Sequence, residues 1–295
     1  MAGRLRAAPT ALPSPAAWLL RSSAPRSNFS TSALVATGKK KSQWIARQQN
    51  DPYVRARSAA NSPSTSPSSS LSPTSTTFVA RSAFKLLELH QLWHGDTKIL
   101  RPGMTVVDLG AAPGGWIQAS QEVLAGRGTV VGVDLLPLQR NIGELDGVHF
   151  VQGDFLDPVT QARLRRTLRE ATGKETPTVD LVLSDMMANM SGSGLRDAQL
   201  SLDLSEAALQ FATQTLSPYL PPPPSASSPS PSPARAQLVP PVQLIIKHFT
   251  STFTPDFRKE LQQRFRLVKW VKPASSRGES REGFFVCAGF RGDVA

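Results

Sequence analysis

Short apolar runs alternate with longer amphipathic stretches along the chain beyond residue 78. Runs rich in Val, Ile, Leu and Phe predict strands at residues 104–108, 129–133, 148–152, 179–184, 242–247, 267–271 and 283–290. Between or before them, apolar side chains at helical spacing predict helices at residues 82–93, 116–124, 158–171, 196–216 and 255–265. Continuous apolar strands separated by helices are typical of a parallel sheet that is covered on both faces. The pattern therefore predicts an α/β fold.

Charged residues stand at or just after the ends of five predicted strands. They are Asp108, Asp134, Asp154, Asp185 and Lys247. Ligands of parallel sheets bind at the carboxyl ends of the strands, so we expect these side chains to line a ligand site at one edge. Each aspartate taken alone could equally be a helix N-cap or a turn residue, but five polar groups on five strands favour a site.

A glycine-rich segment at residues 108–116 (DLGAAPGGW) follows the first predicted strand and opens a helix. Its glycines would let the backbone approach a ligand closely, and the helix N-terminus would present free N–H groups. The segment is neither GxGxxG nor a phosphate-binding loop, and it fits a nucleoside with an amino-acid tail better than a polyphosphate. At the next two strand ends, Asp134 could accept both hydroxyls of a ribose, and Asp154 could bind an exocyclic adenine amine.

Two segments of low complexity interrupt the chain. Residues 59–77 are nearly all Ser, Thr, Pro and Ala, and residues 217–241 are rich in Pro and Ser. Neither contains enough apolar surface to offset the entropy cost of ordering, so we expect both to be flexible inserts. The remainder, about 200 residues, is a usual size for one domain, which we predict to span residues 51–295.

The net charge of +11 is concentrated at the N-terminus. Residues 1–50 contain 8 Lys and Arg side chains and no acidic residue, whereas residues 51–295 contain 25 Lys and Arg against 22 Asp and Glu. Such an Arg-, Ala- and Ser-rich segment is typical of a mitochondrial transit peptide. We therefore interpret residues 1–50 as a transit peptide and basic leader, and we expect the protein in the mitochondrial matrix. The alternative is a basic tail of a cytosolic or nuclear protein, with residues 39–41 as a weak nuclear signal.

Composition excludes several classes of protein. The single cysteine, Cys287, rules out a disulfide scaffold and a Cys-rich zinc module, and we expect it to be buried in an apolar strand. The four histidines are scattered, so we expect no metal site. No run of about 18 apolar residues exists that could span a membrane.

Several motifs together resemble one enzyme family. They are DLGAAPGGW (108–116), VDLLPL (133–138), GDFLD (153–157), SDMMANMSG (184–192), the strand of Lys247, SRGESREGFFV (276–286) and SAFKLLE (82–88). The set resembles the FtsJ/RrmJ-type ribosomal RNA 2′-O-ribose methyltransferases over residues 78–290, apart from the second insert. With the transit-like leader, the chain is most similar to the mitochondrial member. The resemblance implies a Rossmann-like fold whose seven-stranded sheet has its last strand antiparallel.

The resemblance also implies a cofactor and a set of site residues. The cofactor is S-adenosylmethionine, and the residues expected to bind it are Gly110, Pro113, Gly114, Gly115, Trp116, Asp134, Asp154, Phe155 and Asp185. The expected catalytic set is Lys85, Asp185, Lys247 and Glu282. Because a ribose 2′-hydroxyl is a poor nucleophile, the enzyme must orient its oxygen and ease removal of its proton. We take Lys247 as the candidate base, with Lys85 as the nearby cation that favours its neutral form. Asp185 would hold Lys247, and Glu282 would position the lysines or the ribose.

Two features depart from the family pattern. The usual SDMAPN is SDMMAN at residues 184–189, so the proline before the asparagine is missing and the loop over the methyl group is expected to differ. The first insert separates residues 53–55 from residues 81–83, which related proteins join more closely.

The resemblance implies a monomeric enzyme that methylates a uridine 2′-hydroxyl in mitochondrial large-subunit ribosomal RNA, within a large-subunit particle. Two alternatives stay open: a 2′-O-methyltransferase of transfer RNA or another RNA, and a non-catalytic ribosome assembly factor. An assembly factor would be expected to lack the lysine–acid set, which this chain retains. Residues 258–281 carry eight basic side chains against two acidic ones. This stripe could track phosphates, or it could be an ordinary solvated face.

Overall fold

The computed structural model describes residues 78–93, 98–189, 191–221, 239–277 and 280–292. The predicted leader (1–50), the first predicted insert (59–77) and most of the second (217–241) lie outside the described residues. The predictions made for these segments therefore stay predictions.

Helices and strands alternate through the described residues. The strands are β1 (Thr105–Leu109), β2 (Thr129–Asp134), β3 (Val148–Gln152), β4 (Leu181–Ser184), β5 (Val242–Phe249), β6 (Phe265–Val271) and β7 (Glu282–Phe290). The helices are α1 (Ser82–Leu92), α2 (Gly115–Leu124), α3 (Arg140–Gly143), α4 (Pro158–Thr172), α5 (Gly194–Thr215) and α6 (Thr254–Arg264). Helix α3 is absent from the predicted pattern because four residues are too few to show helical periodicity.

The seven strands form one sheet in the order β3-β2-β1-β4-β5-β7-β6. Strands β1 to β5 are mutually parallel, and β7 runs antiparallel to both of its neighbours, β5 and β6. The predicted sheet, with only its last strand antiparallel, is confirmed. The strand order reverses between β1 and β4, which is the point where ligands bind in open α/β sheets.

Apolar side chains pack on both faces of the sheet. Leu86 of α1 packs in one layer with Phe284, and Phe211 of α5 packs in the other with Phe285. The two neighbouring phenylalanines enter different layers because successive strand residues point to opposite faces. Each such buried side chain is worth about 1.5–3 kcal/mol. Cys287 is fully buried in β7, as predicted, and burial raises the pKa of its thiol.

Asp108 does not lie at the ligand edge, so that part of the strand-end prediction is wrong. Strand β1 continues to Leu109, and Asp108 pairs in register with Gly132 and Leu183 inside the sheet. Its side chain is fully buried, and neither carboxyl oxygen has a hydrogen-bond partner among the described residues. Burial, followed by the nearby charges of Asp185 and Asp134, raises the pKa of Asp108 well above its usual value. Asp108 is therefore a carboxyl within the core whose protonated form is favoured by its surroundings.

The described ends of the second insert lie at the edge of the sheet opposite the expected site. The Gln243 side chain donates to the carbonyl of Ser217 at 2.8 Å, and the Tyr219 amide donates to the carbonyl of Phe290 at 2.7 Å. Both contacts are at the beginning of β5, whereas Lys247 lies near its carboxyl end, about 16 Å further along the strand. The insert therefore leaves and rejoins the fold away from the predicted ligand edge.

Replacing residues 222–238 with a Gly–Ser linker about half as long should change the melting temperature by less than about 4 °C, because the closure entropy of a loop varies only slowly with its length. The affinity for the expected S-adenosylmethionine should also stay the same. Calorimetric unfolding and titration measure the two quantities. A large loss of affinity would show that the insert acts at the ligand edge.

Candidate active site

An open cleft lies at the carboxyl edge of the sheet, between the ends of β1, β2 and β4. Its larger lobe has a volume of about 530 Å³, and a smaller adjoining lobe has about 120 Å³. Pockets of about 300–1,000 Å³ are typical for small ligands and cofactors. The two lobes share Gly110, Asp134, Leu135, Met186 and Met187, so they form one continuous site.

Most of the predicted cofactor-binding residues line this cleft. Gly110, Trp116, Asp134 and Asp185 line the larger lobe, and Gly110, Asp134, Asp154 and Phe155 line the smaller one. Pro113, Gly114 and Gly115 are not among the lining residues of either lobe. Their assignment to the cofactor stays a prediction from the resemblance.

The Asp134 carboxylate is held by the backbone. Its Oδ2 accepts a hydrogen bond from the amide of Ala112 at 2.9 Å, and its Oδ1 accepts one from the amide of Leu136 at 2.8 Å. A carboxylate oxygen can accept more than one hydrogen bond, so both oxygens retain capacity for hydroxyl donors. Asp134 is therefore a fixed acceptor at the edge of the cleft, suited to a vicinal diol.

The glycines of the glycine-rich segment at residues 108–116 lie close to other parts of the protein, whereas the sequence predicted a close approach to a ligand. Gly114 has φ +115°, and a Cβ added there would lie 2.7 Å from Ile142 Cγ2 of α3. A Cβ at Gly115 would lie 2.7 Å from the Ser82 hydroxyl of α1. Next to them, Trp116 Nε1 donates to the carbonyl of Ser82 at 2.8 Å. The first residues of α2 therefore pack directly against α1, the helix that carries Lys85.

Lys247 and Asp185 form an ion pair at the floor of the cleft. The Lys247 ammonium lies 3.0 Å from Asp185 Oδ1 and donates a hydrogen bond to the Asp185 carbonyl at 2.6 Å. The side chains are only 5% and 15% exposed. The pairing of β4 with β5 brings the two residues together, because Ser184 is in register with Ile246 immediately before them.

Lys85 and Glu282 form a second ion pair on the same side of the sheet. Their side chains are 2.9 Å apart, and they are 13% and 11% exposed. In the register of β5 with β7, Glu282 lies opposite Phe249 and diagonal to Lys247, and Phe284 lies opposite Lys247. Residues diagonal to each other on one face of an antiparallel pair are near neighbours. The structure thus brings all four predicted catalytic residues into one cluster.

The charges of this cluster are coupled. Burial acts to raise the pKa of Glu282, but the charge and hydrogen bond of Lys85, with the charge of Lys247, outweigh it and hold the pKa below its usual value. Glu282 is therefore an anion that two lysines stabilise, and removing either lysine should disturb the other pair.

Glu282→Gln should lower the free energy of unfolding at neutral pH by about 1–3 kcal/mol, since a charge-assisted hydrogen bond is weakened. Because the folded pKa of Glu282 is lowered, its stabilising contribution is fully present above the unfolded pKa and is lost as the pH falls through the folded value. The variant should therefore lose less stability on acidification than the wild type. Urea unfolding over a pH series measures this, with Glu144→Gln as control because the Arg140–Glu144 pair is exposed. Equal pH dependence in both variants would contradict the coupling.

Sequence reasoning assigned no role to the contacts that hold the β6–β7 loop. The carboxylate of Glu88 accepts hydrogen bonds from the amides of Ala274 at 2.5 Å and Ser275 at 2.9 Å, and Arg81 Nη2 donates to the carbonyl of Ser275 at 2.7 Å. Both Arg81 and Glu88 lie on or beside α1, within one turn of Lys85. The position of Glu88, three residues after Lys85 in the same motif, could have marked it as a candidate site residue. Its partners Ala274 and Ser275 are too distant in sequence for the contact to be predicted.

Other lining residues of the larger lobe also went unassigned. They are Ser82, Ala111, Ala112, Leu135, Leu136, Met186, Met187 and Asn189. Met187 is exposed and lies in the segment where the family has a proline-containing loop.

In the described part of the chain, no three His, Cys, Asp or Glu side chains cluster to hold a metal ion. No helix among the same residues is long and apolar enough to cross a membrane.

Comparison with known proteins identifies relatives of this chain. The FtsJ-like methyltransferase family matches residues 78–290. The ribosomal RNA large subunit methyltransferase E of Alkalilimnicola ehrlichii is 38% identical over 211 residues, which cover 72% of this chain and 84% of that protein. The same enzyme from Pseudomonas fluorescens is 31% identical over 258 residues, covering 88% and 99%.

One solved structure supports the same fold. The ribosomal RNA methyltransferase of Plasmodium falciparum has a TM-score of 0.54 and 22% sequence identity, and the match covers 73% of this chain and 100% of that chain. At this identity, the likeness concerns the fold alone. From the family match over the whole described domain and the similarity to the two bacterial enzymes, we conclude that the chain belongs to the FtsJ-like methyltransferase family.

Proposed function

We propose that this protein transfers a methyl group from S-adenosylmethionine to a ribose 2′-hydroxyl of ribosomal RNA. The observation that carries the proposal is the pairing of Lys247 with Asp185 and of Lys85 with Glu282 beside a cleft of cofactor size. The names of the bacterial relatives support ribosomal RNA as the substrate.

The residues of the cleft fit the expected cofactor. Asp134, held by two backbone amides, would accept the ribose hydroxyls, and Asp154 and Phe155 in the smaller lobe would contact the adenine. Gly110 and Asp185 in the larger lobe would face the amino-acid end and the methyl group. When bound, S-adenosylmethionine supplies a methyl group already activated by its sulfonium.

The protein's own task is to orient the ribose oxygen and to remove its proton. With S-adenosylmethionine bound, the 2′-oxygen would form a bond to the methyl carbon while the carbon–sulfur bond breaks and its electron pair goes to the sulfur. Lys247 Nζ, in its neutral form, takes the hydroxyl proton. Two contacts of this nitrogen go to Asp185, which leaves a position on Nζ for the substrate hydroxyl. Lys85, oriented by Glu282, provides a positive charge that attracts the ribose oxygen.

Methyl transfer from labelled cofactor tests the reaction. Wild-type protein should label ribosomal RNA, and digestion to nucleosides should place the label on a ribose. The exposed-lysine variant Lys174→Ala should match the wild type, whereas Lys247→Ala should give no label. Label on a base, or none from the wild type on naked RNA and ribosomal particles alike, would overturn the proposal. Transfer RNA in the same assay tests the alternative substrate.

The finer assignment is a uridine of mitochondrial large-subunit RNA. It is supported by the acid-free, Arg-rich leader and by the large-subunit activity in the names of the bacterial relatives. The paired lysines and acids favour an enzyme over a non-catalytic assembly factor. Mapping 2′-O-methyluridine in mitochondrial ribosomal RNA, with and without the gene, tests the target.

The mitochondrial location has its own test. Import into isolated mitochondria should remove residues up to about 30 and deliver the protein to the matrix. Changing Arg4, Arg6, Arg21 and Arg26 to Gln should prevent import. A mature N-terminus at Met1 or Ala2, found by mass spectrometry, would contradict this interpretation.

A further inference from the structure

The strand that carries Lys247 continues beyond its neighbour. Strand β4 ends at Ser184, which is in register with Ile246, whereas β5 continues through Lys247 to Phe249. On the other side, β5 stays paired with β7 as far as Phe249 and Glu282. The last three residues of β5 therefore lack a strand partner on the side that faced β4. Buried backbone groups need hydrogen-bond partners, so something else has to supply them.

Two serines of α5 take the place of the missing strand. Ser205 Oγ lies 3.4 Å from the carbonyl of Lys247, and Ser201 Oγ accepts a hydrogen bond from the amide of Phe249 at 3.3 Å. The two serines are four residues apart, so they lie on one face of the helix, and both are buried. Both contacts are longer than the usual hydrogen bond, so their geometry depends on how the serines are held.

His248 also contacts Ser205. The imidazole is fully buried, with Nδ1 3.2 Å from Ser205 Oγ and Nε2 3.1 Å from Thr254 Oγ1 at the start of α6. Its ring stacks on Phe257 with centroids 5.3 Å apart and 22° between the planes. His248 thus connects α5, the end of β5 and α6.

The Ser205 hydroxyl lies 2.8 Å from the Ser201 carbonyl and 3.4 Å from the Lys247 carbonyl, and both oxygens are acceptors. With the hydroxyl proton directed at these carbonyls, Ser205 accepts from His248 Nδ1. His248 Nε2 then accepts from the Thr254 hydroxyl, which itself accepts from the amide of Ser251 at 2.9 Å. Only a neutral imidazole can do both, and burial lowers the pKa of His248 to about 4.

We propose that His248 and Ser205 are positioning residues for Lys247. Their hydrogen bonds fix the unpaired end of β5 and thereby aim Lys247 Nζ at Asp185 and the substrate. The proposal rests on the proposed function, because it assigns Lys247 the proton-accepting role. A small misplacement of a catalytic group is enough to slow a reaction strongly.

The test compares three variants of the full chain. His248→Phe keeps a ring in the aromatic cluster but loses both hydrogen bonds, and His248→Asn retains a donor that can reach Ser205. Phe257→Leu disturbs the same cluster without removing a polar contact. We expect His248→Phe to lower kcat at least about tenfold with KM for S-adenosylmethionine unchanged. His248→Asn should recover part of the loss, and Phe257→Leu should lower the melting temperature but leave kcat nearly intact.

A double-variant cycle and hydrogen exchange complete the test. His248→Phe and Ser205→Ala should be strongly non-additive in kcat, because they break one chain of contacts. Each should speed amide exchange at residues 247–249, while Phe257→Leu should not do so selectively. A wild-type kcat in folded His248→Phe, or additive losses, would overturn the proposal. If the wild type transfers no methyl group, the proposed function fails, and unchanged exchange at residues 247–249 in His248→Phe would overturn the positioning role separately.

Discussion

Lys247→Ala should lose at least about a hundredfold in the rate of methyl transfer, since removing a general base typically costs 10²–10⁴-fold. Its affinity for S-adenosylmethionine should stay close to normal, because Asp134 and the smaller lobe lie on other strands. Lys247 is suited to the role because its side chain is buried, lines the cleft and contacts Asp185 through two atoms. Single-turnover transfer to ribosomal RNA and calorimetric titration with cofactor measure the two effects.

Lys247→Arg is the informative control for this prediction. Arginine preserves the positive charge opposite the buried Asp185 carboxylate, so the fold should tolerate it better than alanine, which leaves that carboxylate unpaired. Arginine also stays protonated at any usable pH, so it cannot accept the hydroxyl proton. We expect this variant to be almost as inactive as Lys247→Ala. An active Lys247→Arg enzyme would show that the residue only orients or neutralises, and that the proton leaves to solvent.

Most of the fold could be predicted because each strand and each long helix carries its own apolar pattern. The exceptions are decided by tertiary pairing. Strand β5 continues to Phe249 because β7 supplies a partner there, and nothing in the local pattern marks that extension. Asp108 shows the same limit, since one further residue of β1 moves its carboxyl from the edge of the sheet into the core.

The catalytic cluster was accessible to sequence reasoning in part. The adjacency of β4 and β5 was sufficient to predict that Asp185 and Lys247 lie side by side. The pairing of Lys85 with Glu282 came from the resemblance alone, because one residue is on α1 and the other begins β7. No periodicity or spacing connects elements so far apart in the chain.

The supporting contacts were the least predictable part of the site. His248 follows Lys247 directly, yet its partner Ser205 lies on α5 before the second insert. Gly115 belongs to a glycine-rich motif that predicts a close approach to a ligand, but the group that lies close to it is the Ser82 hydroxyl. In both cases the identity of the residue is explained only by what the fold places against it.

Asp134→Ala should weaken binding of S-adenosylmethionine at least about tenfold, since each charge-assisted hydrogen bond to the ribose would contribute about 1.5–3 kcal/mol. The loss should exceed that of the ligand bonds alone. The carboxylate also accepts the amides of Ala112 and Leu136, so its removal frees the loop after β1 and the turn after β2, which both line the cleft. Calorimetric titration measures the affinity, and thermal unfolding reports the loosening of the two segments.

Asp157→Ala is a matched control for this prediction. Asp157 is also an aspartate that accepts a backbone amide, that of Val159, but it caps α4 and does not line either lobe of the cleft. Losing an N-cap costs about 1 kcal/mol of stability, so this variant should unfold at a lower temperature with its cofactor affinity unchanged. Asp134→Ala should lose affinity beyond any such general effect. Equal affinities in the two variants would remove Asp134 from the cofactor site and leave it the structural role of joining the two turns.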